Sequence, residues 1–155
     1  MPRTQGLAHV NLHVSDIDRS VRFYTKVFDL ELLGEGTGTV QSKGQPVEVR
    51  QALLSTPGRQ DLLALTYAAS IPIGSAGLNH IGFFFESDED VRLAIEAVPR
   101  HGGKIVQQGE REARGVREIF AYVQDPDGYR IEMSKPPVLF SAGRDTSQDE
   151  SLPPC

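Results

Sequence analysis

The sequence predicts an α+β protein built from two paired βαβββ modules, and three observations lead to that prediction. One strand-like segment, one helix-like segment and three further strand-like segments follow each other, and this order occurs twice. Leu7-Ala8-His9 and Leu78-Asn79-His80 stand at the same place in the two copies. The 155 residues suffice for one domain with a substantial core. We therefore expect a single domain over residues 1–135, with modules at about 6–69 and 77–135.

The first module opens with a strand whose two faces differ. From His9 to Val14, polar and apolar residues alternate, which is typical of a half-buried strand. Ser15 or Asp16 then caps a helix. Its apolar positions, at helical spacing, are Ile17, Val21, Tyr24 and Phe28. Further strands are expected at 31–33, 47–54 and 61–67, the first being the weakest. Gly34 to Gly38 is expected to be a loop.

The second module repeats this order after a linker at 70–77. A strand at 78–85 is followed by a helix that ends at Gly102 and Gly103. The apolar positions of this helix are Val91, Ala94, Ile95 and Val98. Strands are expected at 104–108, 118–124 and 129–134. The turn sequence Asp125-Pro126-Asp127-Gly128 precedes the last strand and places Glu132 on its polar face.

Composition and charge exclude several classes of function. The sequence is 39% hydrophobic and 24% charged, which is ordinary for a soluble globular protein. Its net charge of -5 disfavours nucleic acid as a partner. No apolar run is long enough for a membrane span or an export signal, so we expect a cytoplasmic protein. The single cysteine, Cys155, agrees with that compartment. The tail from 136 to 155 is polar and contains prolines, and we expect little regular structure there.

Three residues are candidates for binding a metal ion. His9, His80 and Glu132 each lie on the polar face of a predicted strand, and the repeat relates the two histidines. Two imidazoles and one carboxylate that converge on one cavity form the ligand set of a mononuclear site for Fe(II), Mn(II), Zn(II) or a related ion. A single strand histidine is more often structural, but the equivalence of His9 and His80 favours the metal site.

At this point the sequence resembles a known family. The spacing of His9, Asp16, Ser20 and Phe23-Tyr24, the segment Asn79-His80-Ile81, and the run from Asp125 to Glu132 are similar to those of the vicinal oxygen chelate superfamily. That superfamily contains glyoxalase I, extradiol dioxygenases, fosfomycin-resistance transferases, methylmalonyl-CoA epimerase and bleomycin-binding proteins. The resemblance implies a curved, mostly antiparallel sheet around a metal cavity, in which vicinal oxygens of a small-molecule substrate complete the metal's coordination.

The resemblance also implies a cofactor and an assembly. His9, His80 and Glu132 fall on three ligand positions of the family. We expect one divalent metal ion, with Fe(II) favoured over Mn, Zn, Ni or Co, and we expect a homodimer. The sequence leaves open whether the ligands come from one chain or from two.

The family's fourth ligand position is the informative one. Glyoxalase I and the epimerase have Glu or Gln there, whereas the internal repeat places Ala64 at the position equivalent to Glu132. A methyl group cannot bind a metal, so three protein ligands remain. That number matches the extradiol dioxygenases and the fosfomycin transferases, and it leaves open positions for a bidentate substrate and dioxygen.

Two further residues are candidate catalytic groups. Tyr122, ten residues before Glu132, matches the extradiol tyrosine that hydrogen-bonds a substrate oxygen at the metal. The family's second catalytic histidine is missing, and His13 is a candidate general base in its place. Arg111, Arg114 or Arg117, on a predicted charged loop at the cavity rim, are candidates for meeting an anionic substrate.

Three functions compete at this stage. The leading expectation is a metal-dependent oxidoreductase of extradiol dioxygenase type. A lyase, isomerase or thiol transferase would use the metal only to polarise its substrate. A protein that binds a drug or metabolite without metal is the third alternative, and the retention of His9, His80 and Glu132 argues against it.

Overall fold

A computed structural model describes residues 8–59, 61–74, 77–113 and 116–136. The predicted tail, from residue 137 onward, and Arg114 lie outside the described residues. Within the described ranges, no helix has both the length and the apolar character needed to cross a membrane.

Two βαβββ modules follow each other along the chain. Their elements are β1 (Val10–His13), α1 (Ile17–Val27), β2 (Glu31–Ser42), β3 (Gln45–Ser55), β4 (Leu63–Tyr67), β5 (Ile81–Phe84), α2 (Asp88–Arg100), β6 (Lys104–Ala113), β7 (Val116–Gln124) and β8 (Arg130–Ser134). The strand orders are β1-β4-β3-β2 and β5-β8-β7-β6. In each sheet the first and last strands of the module are parallel and the other pairs antiparallel. The predicted α+β class with two modules is confirmed. Over the described residues, the modules form two separate four-stranded sheets.

The strand registers relate the modules residue by residue. In the first sheet Asn11 lies opposite Ala64, and in the second Gly82 lies opposite Glu132. Asn11 and Gly82 each follow their module's histidine by two positions. Ala64 therefore occupies the place equivalent to Glu132, as the sequence repeat indicates.

The expected loop at Gly34–Gly38 is wrong, because this segment belongs to β2. The strand pairs with β3 from Glu31 opposite Ser55 to Ser42 opposite Gln45. The hairpin turns at Lys43 and Gly44, both with positive φ (50° and 77°), which is the geometry that two-residue hairpins favour. Continuous pairing with β3 outweighs the weak strand propensity of glycine.

The two modules share one hydrophobic core. Asp16 and Ser87 cap α1 and α2 by accepting hydrogen bonds from Arg19 and Asp90 backbone N–H groups. Each helix buries one face against the sheets. Phe28, at the end of α1, meets Phe83 of β5 with ring centroids 4.5 Å apart. Each sheet consequently has one face toward the helices and one face away from them, which we call its open face.

The turn before β8 also joins the modules. The Asp127 carboxylate, 5% exposed, accepts hydrogen bonds from Ser15 N–H (3.2 Å), Ser15 Oγ (2.5 Å) and Arg19 Nη2 (2.8 Å) at the start of α1. Asp125 accepts a bond of 2.9 Å from the Tyr24 hydroxyl. Burial raises the pKa of Asp125, although its hydrogen bonds from Tyr129 N–H and Tyr24 oppose that shift. The Asp-Pro-Asp-Gly turn of the second module is therefore anchored on the helix of the first.

Candidate metal centre

Three predicted site residues meet on the open face of the second sheet. Glu132 of β8 lies directly opposite Tyr122 of β7. His80 immediately precedes β5, and the first residue of that strand, Ile81, pairs with Ile131 of β8. His80 Nε2 lies 2.9 Å from Glu132 Oε2, and the His80 and Tyr122 ring centroids are 5.5 Å apart. The parallel β5–β8 pairing thus places an imidazole and a carboxylate against each other, beside a phenol ring.

The orientation of the His80 ring suits metal binding. His80 Nδ1 lies 2.7 Å from Asn79 Oδ1. An amide oxygen only accepts hydrogen bonds, so Nδ1 carries the hydrogen, and in a neutral ring Nε2 presents a lone pair. That lone pair faces a carboxylate oxygen, and two acceptors so close require a proton or a cation between them. The donor set at this point is one that a divalent metal ion fits.

Arg111 holds the other oxygen of Glu132. Its Nη2 donates to Glu132 Oε1 at 2.6 Å, and its Nε donates to Glu118 Oε1 at 2.7 Å. The Glu118 side chain is only 7% exposed, and the guanidinium lies 4.8 Å from the centroid of the Phe120 ring. Burial alone would lower the pKa of Arg111, but the hydrogen bonds that it donates to Glu118 and Glu132 outweigh burial and raise that pKa. Glu132 Oε2 is thereby left facing His80.

The expectation that the arginines lie on a rim loop is corrected by this geometry. Arg111 lies within β6, because that strand extends to Ala113 and pairs with β7 along its length. Arg117 is exposed and paired at 2.5 Å with Glu110. Since carboxylates already neutralise both guanidinium groups, neither is available to an anionic substrate in this arrangement.

His9 does not join this site within one chain. It is exposed and lies just before β1, in the first sheet. Among the residues that the structure describes, no group of three or more His, Cys, Asp and Glu side chains is placed to hold a metal ion. The structure therefore brings two of the three predicted ligands together, His80 and Glu132.

His13 is also placed in the first sheet, in β1. Its carbonyl oxygen accepts a 2.8 Å hydrogen bond from the Tyr129 hydroxyl. Its Nδ1 is buried and has no hydrogen-bond partner within the described residues. No described contact links His13 to Glu132 or Tyr122, so a role as general base stays a prediction.

The open face of the first sheet carries a different chemistry. Gln51 Nε2 donates to Thr66 Oγ1 at 3.2 Å, and Thr66 Oγ1 donates to Asn11 Oδ1 at 2.9 Å. Ala64 and the exposed Leu53 lie opposite each other beside this chain. The first module thus has neutral polar groups and apolar surface where the second has charges.

Two residues of the second sheet were missed as site residues by sequence reasoning. Glu118 gave no signal, because its partner Arg111 lies on another strand. Arg130 could have been found from its spacing, since it lies two residues before Glu132 on the same strand face. Its guanidinium lies 4.1 Å from the centroid of the Tyr122 ring.

Comparison with known proteins defines the class. Residues 6–133 match the model of the Glyoxalase/Bleomycin resistance protein/Dioxygenase superfamily. The chain belongs to this superfamily, and the resemblance inferred from its motifs is confirmed.

Several named proteins are similar to this chain over most of its length. A lactoylglutathione lyase of Salmonella typhimurium is 28% identical over 127 residues, which are 82% of this chain and 90% of that protein. One from Arabidopsis thaliana is 30% identical over 128 residues, or 81% of this chain and 42% of that protein. In three plant relatives the match covers 35–42% of the protein's own length. The chain thus spans less than half the length of these relatives.

Solved structures support the fold. A glyoxylase/bleomycin resistance protein/dioxygenase domain from Frankia sp. EAN1pec superposes with a TM-score of 0.69 at 23% identity, covering 87% of this chain and all of that one. The fosfomycin resistance protein FosX from Mesorhizobium loti superposes with a TM-score of 0.61 at 20% identity, covering 91% of this chain and 100% of that one. These likenesses confirm the architecture that carries the site.

Proposed function

We propose that this protein is a metal-dependent lyase or isomerase that acts on a small molecule with two adjacent oxygens. The observation that carries the proposal is the approach of His80 Nε2 to Glu132 Oε2, at 2.9 Å, on the open face of the second sheet. The relatives of similar length that match most of the chain are named lactoylglutathione lyases, which favours this class of reaction.

In the proposed centre, His80 and Glu132 of one chain bind the metal together with His9 of a second copy. Three features support this arrangement. Among the residues that the structure describes, no third His, Cys, Asp or Glu of the same chain completes the pair. The strands that follow His9 and His80, β1 and β5, are edge strands of their sheets, and edges are where sheets of two copies can meet. The modules of one chain pack through their helices, which leaves both open faces accessible to a partner. The expected homodimer is part of this proposal.

The bound metal would supply Lewis acidity to the adjacent oxygens of the substrate. Any of the expected divalent ions suits one carboxylate and two imidazoles, so Fe(II) is no longer favoured by the donor set alone. Asn79 keeps the His80 tautomer that exposes Nε2, and Arg111 keeps one oxygen of Glu132 occupied. Tyr122, between His80 and Arg130, would place its hydroxyl as a donor beside the reacting oxygens.

An extradiol-type dioxygenase is the second candidate function. It is favoured by Ala64, which stands where a fourth ligand would be and leaves three protein ligands. Two assays separate the classes: formation of lactoylglutathione from methylglyoxal and glutathione, and oxygen uptake with catechols. Turnover without oxygen uptake supports the lyase or isomerase, whereas stoichiometric oxygen uptake would replace it by the dioxygenase.

Mixing two inactive variants tests the shared centre. In a mixed dimer, one subunit carries His9→Ala and the other carries Glu132→Ala. One of its two sites then combines an intact His9 with an intact Glu132. Since half of the dimers are mixed after subunit exchange of equal amounts, we expect mixing to restore metal binding to about a quarter of the wild-type stoichiometry. Either variant alone should bind little metal. If the mixture binds no more metal than the separate variants, the ligands do not come from two copies.

Substituting Tyr122 by phenylalanine tests its role in turnover. The phenyl ring keeps the contacts with His80 and Arg130, but the hydroxyl donor is lost. We expect kcat to fall by roughly 10- to 1000-fold with metal content unchanged. Steady-state kinetics with metal analysis of the same samples measures both. Unaltered kcat would limit Tyr122 to a packing role.

A further inference from the structure

Arg130 lies beside the proposed centre, on the same face of the sheet. It is the first residue of β8 and precedes Glu132 by two positions, so the two side chains leave the strand about 7 Å apart. The guanidinium stacks over the Tyr122 ring, with its carbon 4.1 Å from the ring centroid. Tyr122 in turn lies opposite Glu132 and against His80. Arg130, Tyr122 and the candidate metal ligands thus form one continuous surface.

Arg130 differs from Arg111 and Arg117 in having no carboxylate partner among the described residues. Arg111 is bound by Glu118 and Glu132, and Arg117 by Glu110. Within the described residues, Arg130 forms no ion pair, and its Nε is buried without a hydrogen-bond partner. Because no described carboxylate neutralises this guanidinium, its positive charge can attract an anion. The structure therefore holds one guanidinium ready to bind an anion at the edge of the centre.

We propose that Arg130 binds an anionic oxygen group, a carboxylate or a phosphonate, on the substrate whose adjacent oxygens reach the metal. This inference rests on the proposed function. The planar guanidinium matches a planar or tetrahedral oxyanion through paired N–H donors, and its contact with the Tyr122 ring keeps it beside the centre. The separation of about 7 Å along β8 selects a short molecule in which the anionic group and the adjacent oxygens lie at opposite ends. The substrate class is thus a small acid with vicinal oxygens.

Two catechols of similar size test this proposal directly. 3,4-Dihydroxybenzoate and 4-methylcatechol share the same pair of adjacent oxygens, but only the first carries a carboxylate opposite them. Titration calorimetry on the metal-loaded protein gives both Kd values. We expect wild-type protein to bind 3,4-dihydroxybenzoate about 10-fold more tightly than 4-methylcatechol. 3,4-Dihydroxyphenylphosphonate, measured in parallel, shows whether a carboxylate or a phosphonate is preferred.

Variants assign the preference to Arg130. Arg130→Met removes the charge while keeping an unbranched side chain over Tyr122, and it should reduce the ratio of the two Kd values to about 1. Arg130→Lys keeps the charge without the fork and should retain part of the ratio. Arg117→Met is the matched control, since Arg117 is exposed and paired with Glu110, and it should leave the ratio unchanged. Circular dichroism and the Kd for the metal alone establish that the variants are folded and loaded.

The possible failures are distinguishable. Equal binding of both catechols by wild type, or a ratio that survives in Arg130→Met, overturns the role of Arg130 and leaves the metal centre standing. Metal-loaded protein that binds neither catechol also overturns it, because no substrate with vicinal oxygens is then held beside Arg130. Wild-type protein that binds no divalent metal removes the proposed function and this inference together.

Discussion

Replacing Glu132 by alanine is expected to abolish binding of the divalent metal, with a loss of affinity of more than roughly 100-fold, and with it all turnover. In the described part of the chain, only Glu132 places a carboxylate oxygen against His80 Nε2. Mutating a residue that only hydrogen-bonds to a metal ligand already lowers metal affinity by about 10- to 100-fold. Losing a ligand itself should therefore have a larger effect. His80→Ala should cause a similar loss. Titration of metal-free protein with Co(II), Mn(II), Zn(II), Ni(II) and Fe(II), the last without oxygen, measures the affinity.

Glu110→Ala is the matched control for this experiment. Glu110 is also a carboxylate paired with an arginine, but it lies on β6 with its partner Arg117 and is more exposed. Its removal should leave the metal Kd within about 3-fold of wild type, because an exposed ion pair contributes little. A Glu132→Ala protein that kept the wild-type Kd would show that the metal, if bound, lies elsewhere. The acidity of the surface alone would explain metal binding if Glu110→Ala were equally impaired.

Much of the fold could be predicted because the chain repeats its own pattern. His9 and His80 open equivalent strands, and the period-two alternation around them identifies which residues share a face. The equivalence of Ala64 and Glu132 followed from that repeat, and the two parallel strand pairs reproduce it. Local periodicity carries this information because strand geometry depends on adjacent residues.

The errors arose where a contact joins residues that are distant in sequence. The charges and glycine around Arg111 predict a loop, but pairing of β6 with β7 places Arg111 against Glu118 and Glu132. The sequence also leaves open whether His9 and His80 of one chain meet, and the packing of the two modules through their helices separates them. Neither the ion pairs nor the module packing has a periodic signature in the sequence.

The Asp-Pro-Asp-Gly turn shows the same division between local and distant information. Its residues predict a tight turn, and Gly128 has the positive φ, 90°, that closes it. The role of Asp127 in holding the first module's helix depends on Ser15, which lies 112 residues away. The turn was predictable, but its function as a joint between modules was not.

Replacing Asp127 by alanine is expected to destabilise the whole fold by about 2–4 kcal/mol, since it removes a buried carboxylate that accepts several hydrogen bonds and pairs with an arginine. The Asp127 side chain is 5% exposed and binds Ser15, Arg19 and Ser20 at the start of α1. Its loss leaves the Ser15 N–H without its acceptor and detaches the turn of one module from the helix of the other. Urea unfolding, followed by circular dichroism, measures the free energy of unfolding.

Two further variants serve as comparisons. Asp127→Asn keeps an acceptor oxygen but not the charge, and it should lower the free energy of unfolding less than Asp127→Ala does. Asp18→Ala removes an exposed carboxylate that pairs with Arg50, and it should be clearly less destabilising than Asp127→Ala. If Asp127→Ala were no more destabilising than Asp18→Ala, the turn would not be the joint that holds the two modules together.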